Sequence, residues 1–276
     1  GDHADALKSS VEGAAAFDLA MAKARLAFAM RANRPQVWQG GEGNENGHRS
    51  QRISLRRARH PLLVSDAVVP IDVDLGETFR VLLITGPNTG GKTVALKTIG
   101  LLTLMAQTGL FIPADDTSVV SVFPAVFVDI GDEQSIAQSL STFSGHIRTV
   151  IGMLRGGGSE DLVLLDELGA GTDPQEGSAL ARAIVAGPLV VATTHYPEVK
   201  AYAFATPGVE NASVEFDVAT LAPTYRLMIG VPGRSNAIAI AGRLGMPQEI
   251  LEQAQGMLDP DELRVDALLQ DIRRRR

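Results

Sequence analysis

The run "ITGPNTGGKTVALKTIG", residues 84–100, places glycines, a lysine and a threonine at the spacing G-x-x-x-x-G-K-[ST]. That spacing builds a phosphate cradle. Its glycines let backbone N–H groups approach an anion, and a following helix adds its dipole. Lys92 is expected to reach the β- and γ-phosphates of a nucleotide, and the Thr93 hydroxyl to ligate Mg²⁺. The cradle alone does not say why phosphates are bound, because switches, motors and kinases share it.

A second run, "DLVLLDELGAGTDP" at 161–174, ends four apolar residues in Asp166-Glu167. In open α/β sheets ligands sit at the carboxyl ends of strands. Asp166 suits Mg²⁺ there, usually through water. Glu167 suits the orienting or deprotonation of an attacking water. A catalytic Glu directly after the metal Asp points to ATP hydrolysis. The Asn-Lys-x-Asp of small GTP switches is absent, and no second substrate site of a small-molecule kinase is visible. A third run, "LVVATTH" at 189–195, ends a strand in His195. A lone histidine there is an ordinary surface residue, but its parallel placement makes it a candidate to sense the γ-phosphate or polarise water. A fourth, "GDEQSIAQSLSTFSGHI" at 131–147, opens a helix, with Ser141, Thr142 and Ser144 competing as N-caps.

These residues need strands and helices to hold them. Apolar strand-like runs fall at 68–73, 79–85, 126–129, 162–166 and 189–193. Helical runs lie between them at 92–108, 145–154 and 176–186. Alternation of this kind predicts an α/β fold with a buried, largely parallel sheet. Residues 209–228 read as two or three further strands, followed by helices at 235–244 and 247–258. Upstream, Leu7, Val11, Ala14, Phe17, Met21, Ala24 and Phe28 form one helical stripe within 4–32. A helix of that length reads as an arm or lever. Between them "QGGEGNENGHRSQ", 39–51, is rich in Gly, Asn and charge and is expected to be disordered.

The 276 residues suffice for one large domain or two small ones, and 45% hydrophobic content allows a substantial core. No cysteine is present, which excludes disulfides, zinc ribbons and thiol catalysis. A net charge of −7 argues against general nucleic-acid binding, so any such contacts need a local basic patch or a region outside this chain. Arg273–Arg276 reads as a solvated helix end rather than a DNA arm. No window is long enough to span a membrane, and the start lacks a Met, a basic leader and an apolar signal core. The expectation is a cytoplasmic protein, met here as an excised segment.

Taken together, the four runs closely resemble the ATPase domain of the MutS family, and more narrowly its MutS-two subfamily. "ARHPLL" at 58–63 and "YRLMIGVPGRSNAIAIAGRLGMPQEIL" at 225–251 resemble it too. The resemblance implies an ABC-type P-loop ATPase with a mixed, largely parallel central sheet flanked by helices, preceded by a long lever helix. It implies a lever segment 1–38, an ATPase domain 53–258, and a C-terminal helix 259–276 leading toward a coiled coil and an Smr nuclease domain not contained here, whereas the flexible insert 39–52 departs from the family and is peculiar to this chain.

By the same resemblance, Gly86, Pro87, Asn88, Thr89, Gly90, Gly91, Lys92, Thr93 and Val94 are the nucleotide-binding Walker A residues. Gln134 belongs to the Q-loop, and Ser141 is a signature serine reaching the γ-phosphate held by a second subunit. Thr93 and Asp166 are the metal ligands, Asp173 belongs to the D-loop, and Lys92, Glu167 and His195 are catalytic. The segment Arg59-His60-Pro61 lies near the nucleotide, with no contact assigned.

The implied function is ATP binding and hydrolysis with Mg²⁺ in a homodimer of composite sites. ATP-driven clamp closure on branched DNA or recombination intermediates would serve repair or anti-recombination. Alternatives are an ATPase engine acting on ribosomes during collision rescue, and a dimerisation module with little turnover. Another ABC-type head fits less well, since a transporter signature reads like LSGGQ. Without its flanking domains this chain is expected to hydrolyse ATP weakly and not to cut DNA.

Overall fold

Uninterrupted apolar runs dictate the centre of the molecule. The computed structural model describes residues 3–40, 50–63, 68–86, 90–131, 139–169, 173–184, 188–217, 220, 222–233 and 237–257. In chain order its strands are β1 (Gln36–Trp38), β2 (Ile53–Ala58), β3 (Ile71–Leu75), β4 (Val81–Thr85), β5 (Val119–Ser121), β6 (Val126–Asp129), β7 (Leu162–Leu165), β8 (Leu189–Thr193), β9 (Val209–Asp217) and β10 (Ala222–Ile229). Its helices are α1 (Ala4–Met30), α2 (Lys92–Gln107), α3 (Ser139–Gly156), α4 (Pro174–Ile184), α5 (Pro197–Ala205), α6 (Ala237–Arg243) and α7 (Gln248–Gly256).

The main sheet has the order β10-β9-β4-β8-β7-β6. Every pairing from β9 to β6 is parallel, and only β10 runs antiparallel to its neighbour. All residues of β4, β7 and β8 are buried, as a sheet covered on both faces demands. Successive side chains go to opposite faces. Leu82, Ile84, Leu164 and Val191 pack with Leu96, Ile99 and Leu102 of α2 on one face. Leu83, Leu165, Val190 and Ala192 pack with Val150 and Met153 of α3 and Val199 of α5 on the other.

A second, four-stranded sheet was not anticipated. Its order is β1-β5-β2-β3, and β2 runs antiparallel to both neighbours. Sequence reading misses it because β2 contains Arg56 and Arg57, which break the apolar run. The structure accommodates the charge sideways: Arg56 pairs with Asp74 at 2.8 Å, and Ser54 donates to the same carboxylate. β1 and β5 are only three residues each, too short to show a period.

Helix α1 follows the expected stripe for 27 residues but buries none of them. At 1.5 Å per residue it is about 40 Å long. Among the described residues its C-terminal half is anchored by Lys23, which donates to the Thr108 carbonyl, and just past its end Asn33 bridges to Ile112. The expected disordered insert falls largely on 41–49, outside the described residues. Its flank is packed, with Gln51 only 6% exposed and Trp38 donating to the Ser50 carbonyl. Helix α3 begins at Ser139, earlier than the expected 145. Ser141 and Thr142 therefore lie in its first turn and Ser144 in its second, and none of them is the N-cap. No helix among the described residues is long and apolar enough to cross a membrane.

Helix α2 sits tightly on β7 because Gly100 has no side chain. A Cβ there would come within 2.3 Å of a Leu164 methyl. Gly100→Val is expected to destabilise the chain by about 1–3 kcal/mol through overpacking, read as a lowered urea midpoint at unchanged m-value.

Candidate functional site

The phosphate loop is set by what holds the end of β4. Thr85 is fully buried, and its hydroxyl donates to the Ala212 carbonyl at 3.0 Å. The same oxygen accepts the Gly233 N–H at 2.6 Å. Gly86 then turns away with φ +124°, a conformation open to glycine. Gly91 caps α2 at φ +92°, and Lys92 begins the helix. Lys92 is 3% exposed, and its ammonium reaches back to the Gly86 carbonyl at 2.5 Å. Thr93 follows, half-buried, with Val94 exposed beside it. Pro87, Asn88 and Thr89 lie outside the described residues, as does Gln134.

The acids arrive from β7 at the same carboxyl edge. Asp166 is 7% exposed, and its N–H donates to the Asp129 carbonyl at the end of β6. Glu167 has φ +50°. Left-handed geometry costs an L-residue about 1–2 kcal/mol, so surrounding bonds must hold it. Burial pushes the Lys92 ammonium below the ordinary lysine value, while the Glu167 and Asp166 carboxylates pull it up and Lys200 pushes it down. Both acids thus act on the Lys92 ammonium across the edge. His195 lies two residues past the end of β8, exposed, with its ring 4.4 Å from that of Tyr196.

Other expected residues are placed less centrally. Asp173 accepts the N–H groups of Gln175 and Glu176 at 2.9 and 3.3 Å, so it caps the start of α4. Ser141 lies in the first turn of α3. That helix is tied to the acidic edge one turn later, where His146 Nδ1 and Asp129 Oδ2 lie 2.7 Å apart. Both line a small cleft that also reaches Asp166 and Glu167.

A cavity of about 350 Å³ opens beside the loop, lined chiefly by apolar groups. His60, Leu63, Val69, Gly91, Val94 and Tyr225 contribute. His60, assigned no contact from sequence, thus borders the loop, and burial together with Lys97 holds its ring below the usual histidine value. Tyr225 has φ +58° at a bulge where β10 changes register against β9. Its ring packs so closely that a Cβ on Gly91 would meet it at 2.9 Å. Sequence reasoning missed Tyr225, Gly233 and Thr85 as parts of this site. Only the long run at 225–251 hinted that the segment mattered.

Comparison with known proteins decides the family. The family model for MutS domain V matches residues 82–261. The chain belongs to the MutS family. Relatives named Endonuclease MutS2 match nearly all of it. That of Thermomicrobium roseum is 57% identical over 99% of this chain and 35% of the relative. Those of Caldanaerobacter subterraneus subsp. tengcongensis and Brevibacillus brevis are 52% and 51% identical, again over 99% of this chain and 34% of the relative. The chain spans about one third of the length of these curated relatives. The fold of this MutS-family chain is accordingly that of a P-loop ATPase domain.

A MutS-family ATPase domain implies Mg²⁺ with its nucleotide, and the donor set here fits. The Thr93 hydroxyl and Asp166 carboxylate are hard oxygens, and Mg²⁺ takes few protein ligands beside phosphate and water.

Gly233 supplies a test of the loop's geometry. A Cβ on it would fall 2.5–2.6 Å from backbone atoms of Thr85 and Gly86, which no side-chain motion relieves. Gly233→Ala is expected to weaken Mg-ATP binding by about tenfold or more, within the range of overpacking costs. Calorimetric titration measures it, with a melting curve to show that the fold persists.

Proposed function

We propose that this chain binds ATP with Mg²⁺ at the carboxyl edge of its main sheet and hydrolyses it. The observation that carries the reading is that the parallel strands β4, β8 and β7 end at one edge, where buried Lys92 follows β4 and the Asp166-Glu167 pair follows β7. The backbone of 86–93 cradles the phosphates, and Lys92 neutralises their charge. Thr93 and Asp166 would hold the Mg²⁺, which would supply charge neutralisation to the phosphates. Glu167 orients and deprotonates the attacking water, and His195 senses the γ-phosphate. The cavity bordered by His60, Val94 and Tyr225 takes the base, whose flat apolar faces suit aliphatic and aromatic walls.

The site is half of a composite one. Ser141, in the first turn of α3, serves the γ-phosphate held by a second copy of the chain, where helix N–H groups and dipole favour an anion. Closure of two copies then depends on ATP, and hydrolysis releases them, because ATP binds the closed state better than the open one. In the longer protein that cycle drives a clamp on branched DNA through regions outside this chain.

Lys92→Ala is expected to abolish Mg²⁺-dependent turnover. Glu167→Gln is expected to bind ATP with little change while turnover falls by about 10²–10⁴-fold, the usual worth of a general base. Light scattering gives a second readout. Glu167→Gln with ATP and Mg²⁺ should run as a dimer, and Lys92→Ala should not. Unimpaired turnover in Glu167→Gln removes Glu167 from the role of base.

A further inference from the structure

Thr193 ends β8 and is 0% exposed. Because Leu165 pairs with Ala192 in parallel register, Thr193 stands beside Asp166 one step further on. Its hydroxyl makes two bonds there. It donates to Asp166 Oδ1 at 2.5 Å and accepts the Glu167 N–H at 2.7 Å. Its carbonyl accepts the Leu168 N–H at 2.8 Å. Three consecutive residues of the acidic turn are therefore held by one threonine.

We infer that Thr193 is the positioning residue of the hydrolytic site, its single hydroxyl setting both the metal-binding acid and the base. This rests on the ATPase reading above. Two features make the hydroxyl specific. A hydroxyl has one proton, and Thr193 spends it on Asp166, which leaves lone pairs for the Glu167 N–H. Donation to one Asp166 oxygen leaves the other oxygen to face a metal. Glu167 also sits at φ +50°, where an L-residue does not stay without restraint. Fixing its N–H fixes the peptide that turns its side chain away from the strand direction and toward the edge. The turn is pinned again just downstream, where the Tyr196 hydroxyl donates to the Gly169 carbonyl at 3.0 Å. Residues 193–196 thus brace the acids from the strand that also presents His195. An ATP-dependent movement of that segment would move the base with it.

Valine matches threonine in shape but lacks the hydroxyl, and serine keeps it. Thr193→Val is expected to lower kcat for ATP by about 10–100-fold, as loss of a hydrogen bond to a charged group does. KM and Mg-ATP affinity should stay within about threefold, since the phosphate loop is untouched. Thr193→Ser should retain kcat within about threefold. A merely structural threonine would lower the melting temperature of the valine variant without this split between kcat and KM. Wild-type kcat in Thr193→Val, or an equal fall in Thr193→Ser, overturns the inference while leaving the ATPase reading intact. Absence of turnover in the wild-type chain overturns both.

Discussion

Parallel pairing of β4, β8 and β7 is the constraint on which the rest depends. In a parallel sheet the carboxyl ends of neighbouring strands share one edge. Ile84 pairs with Thr193, and Leu165 with Ala192. Within two residues beyond Ile84, Leu165 and Thr193 the chain delivers Gly86, the acids Asp166 and Glu167, and His195. The apolar runs that make the strands are thus also what assembles the chemistry. A slip of one residue in any pairing would turn core side chains to the wrong face.

Around that edge the supporting contacts come from remote parts of the chain. Thr85 is held by β9 and by the turn after β10. The bulge in β10 aims Tyr225 at Gly91. His60 is carried in by the connection between β2 and β3 of the second sheet. His146 and Asp129 join α3 to the end of β6, so the helix expected to serve a second subunit is tied to the acids of its own. Glu167 and Tyr225 hold left-handed backbone geometry, and both stand at the site rather than at surface turns. Among the described residues Arg31 and Arg57, away from the site, are the other non-glycine residues with positive φ.

Much of this was legible in the sequence where the chemistry is contiguous. Gly86 to Thr93, Asp166-Glu167 and the strand before His195 are local patterns, and their strands and helices follow from local periodicity. The fold class and the MutS-family resemblance followed from the same runs. What escaped depends on distance along the chain. Gly233 meets Thr85 and Thr193 meets Asp166 only through tertiary pairing, and an isolated threonine or glycine carries no signal of that. The second sheet escaped because Arg56 and Arg57 interrupt β2, the Arg56 charge being met across the sheet by Asp74 and the Arg57 N–H being bound by Asp72. The start of α3 escaped because a polar run without apolar spacing gives helical periodicity nothing to register. The stripe on α1 was legible as a helix and its length as an arm, and none of its residues is buried.

On the proposed function, the phosphate loop and the acids that follow β7 form one metal–nucleotide site. Electron paramagnetic resonance with Mn²⁺ in place of Mg²⁺ tests it most directly. Mn²⁺ should bind tightly only when a non-hydrolysable ATP analogue is present, with phosphorus coupling in its spectrum, and Asp166→Asn should weaken this signal. Tight Mn²⁺ binding without nucleotide, or a phosphate-coupled signal indifferent to Asp166→Asn, would contradict it.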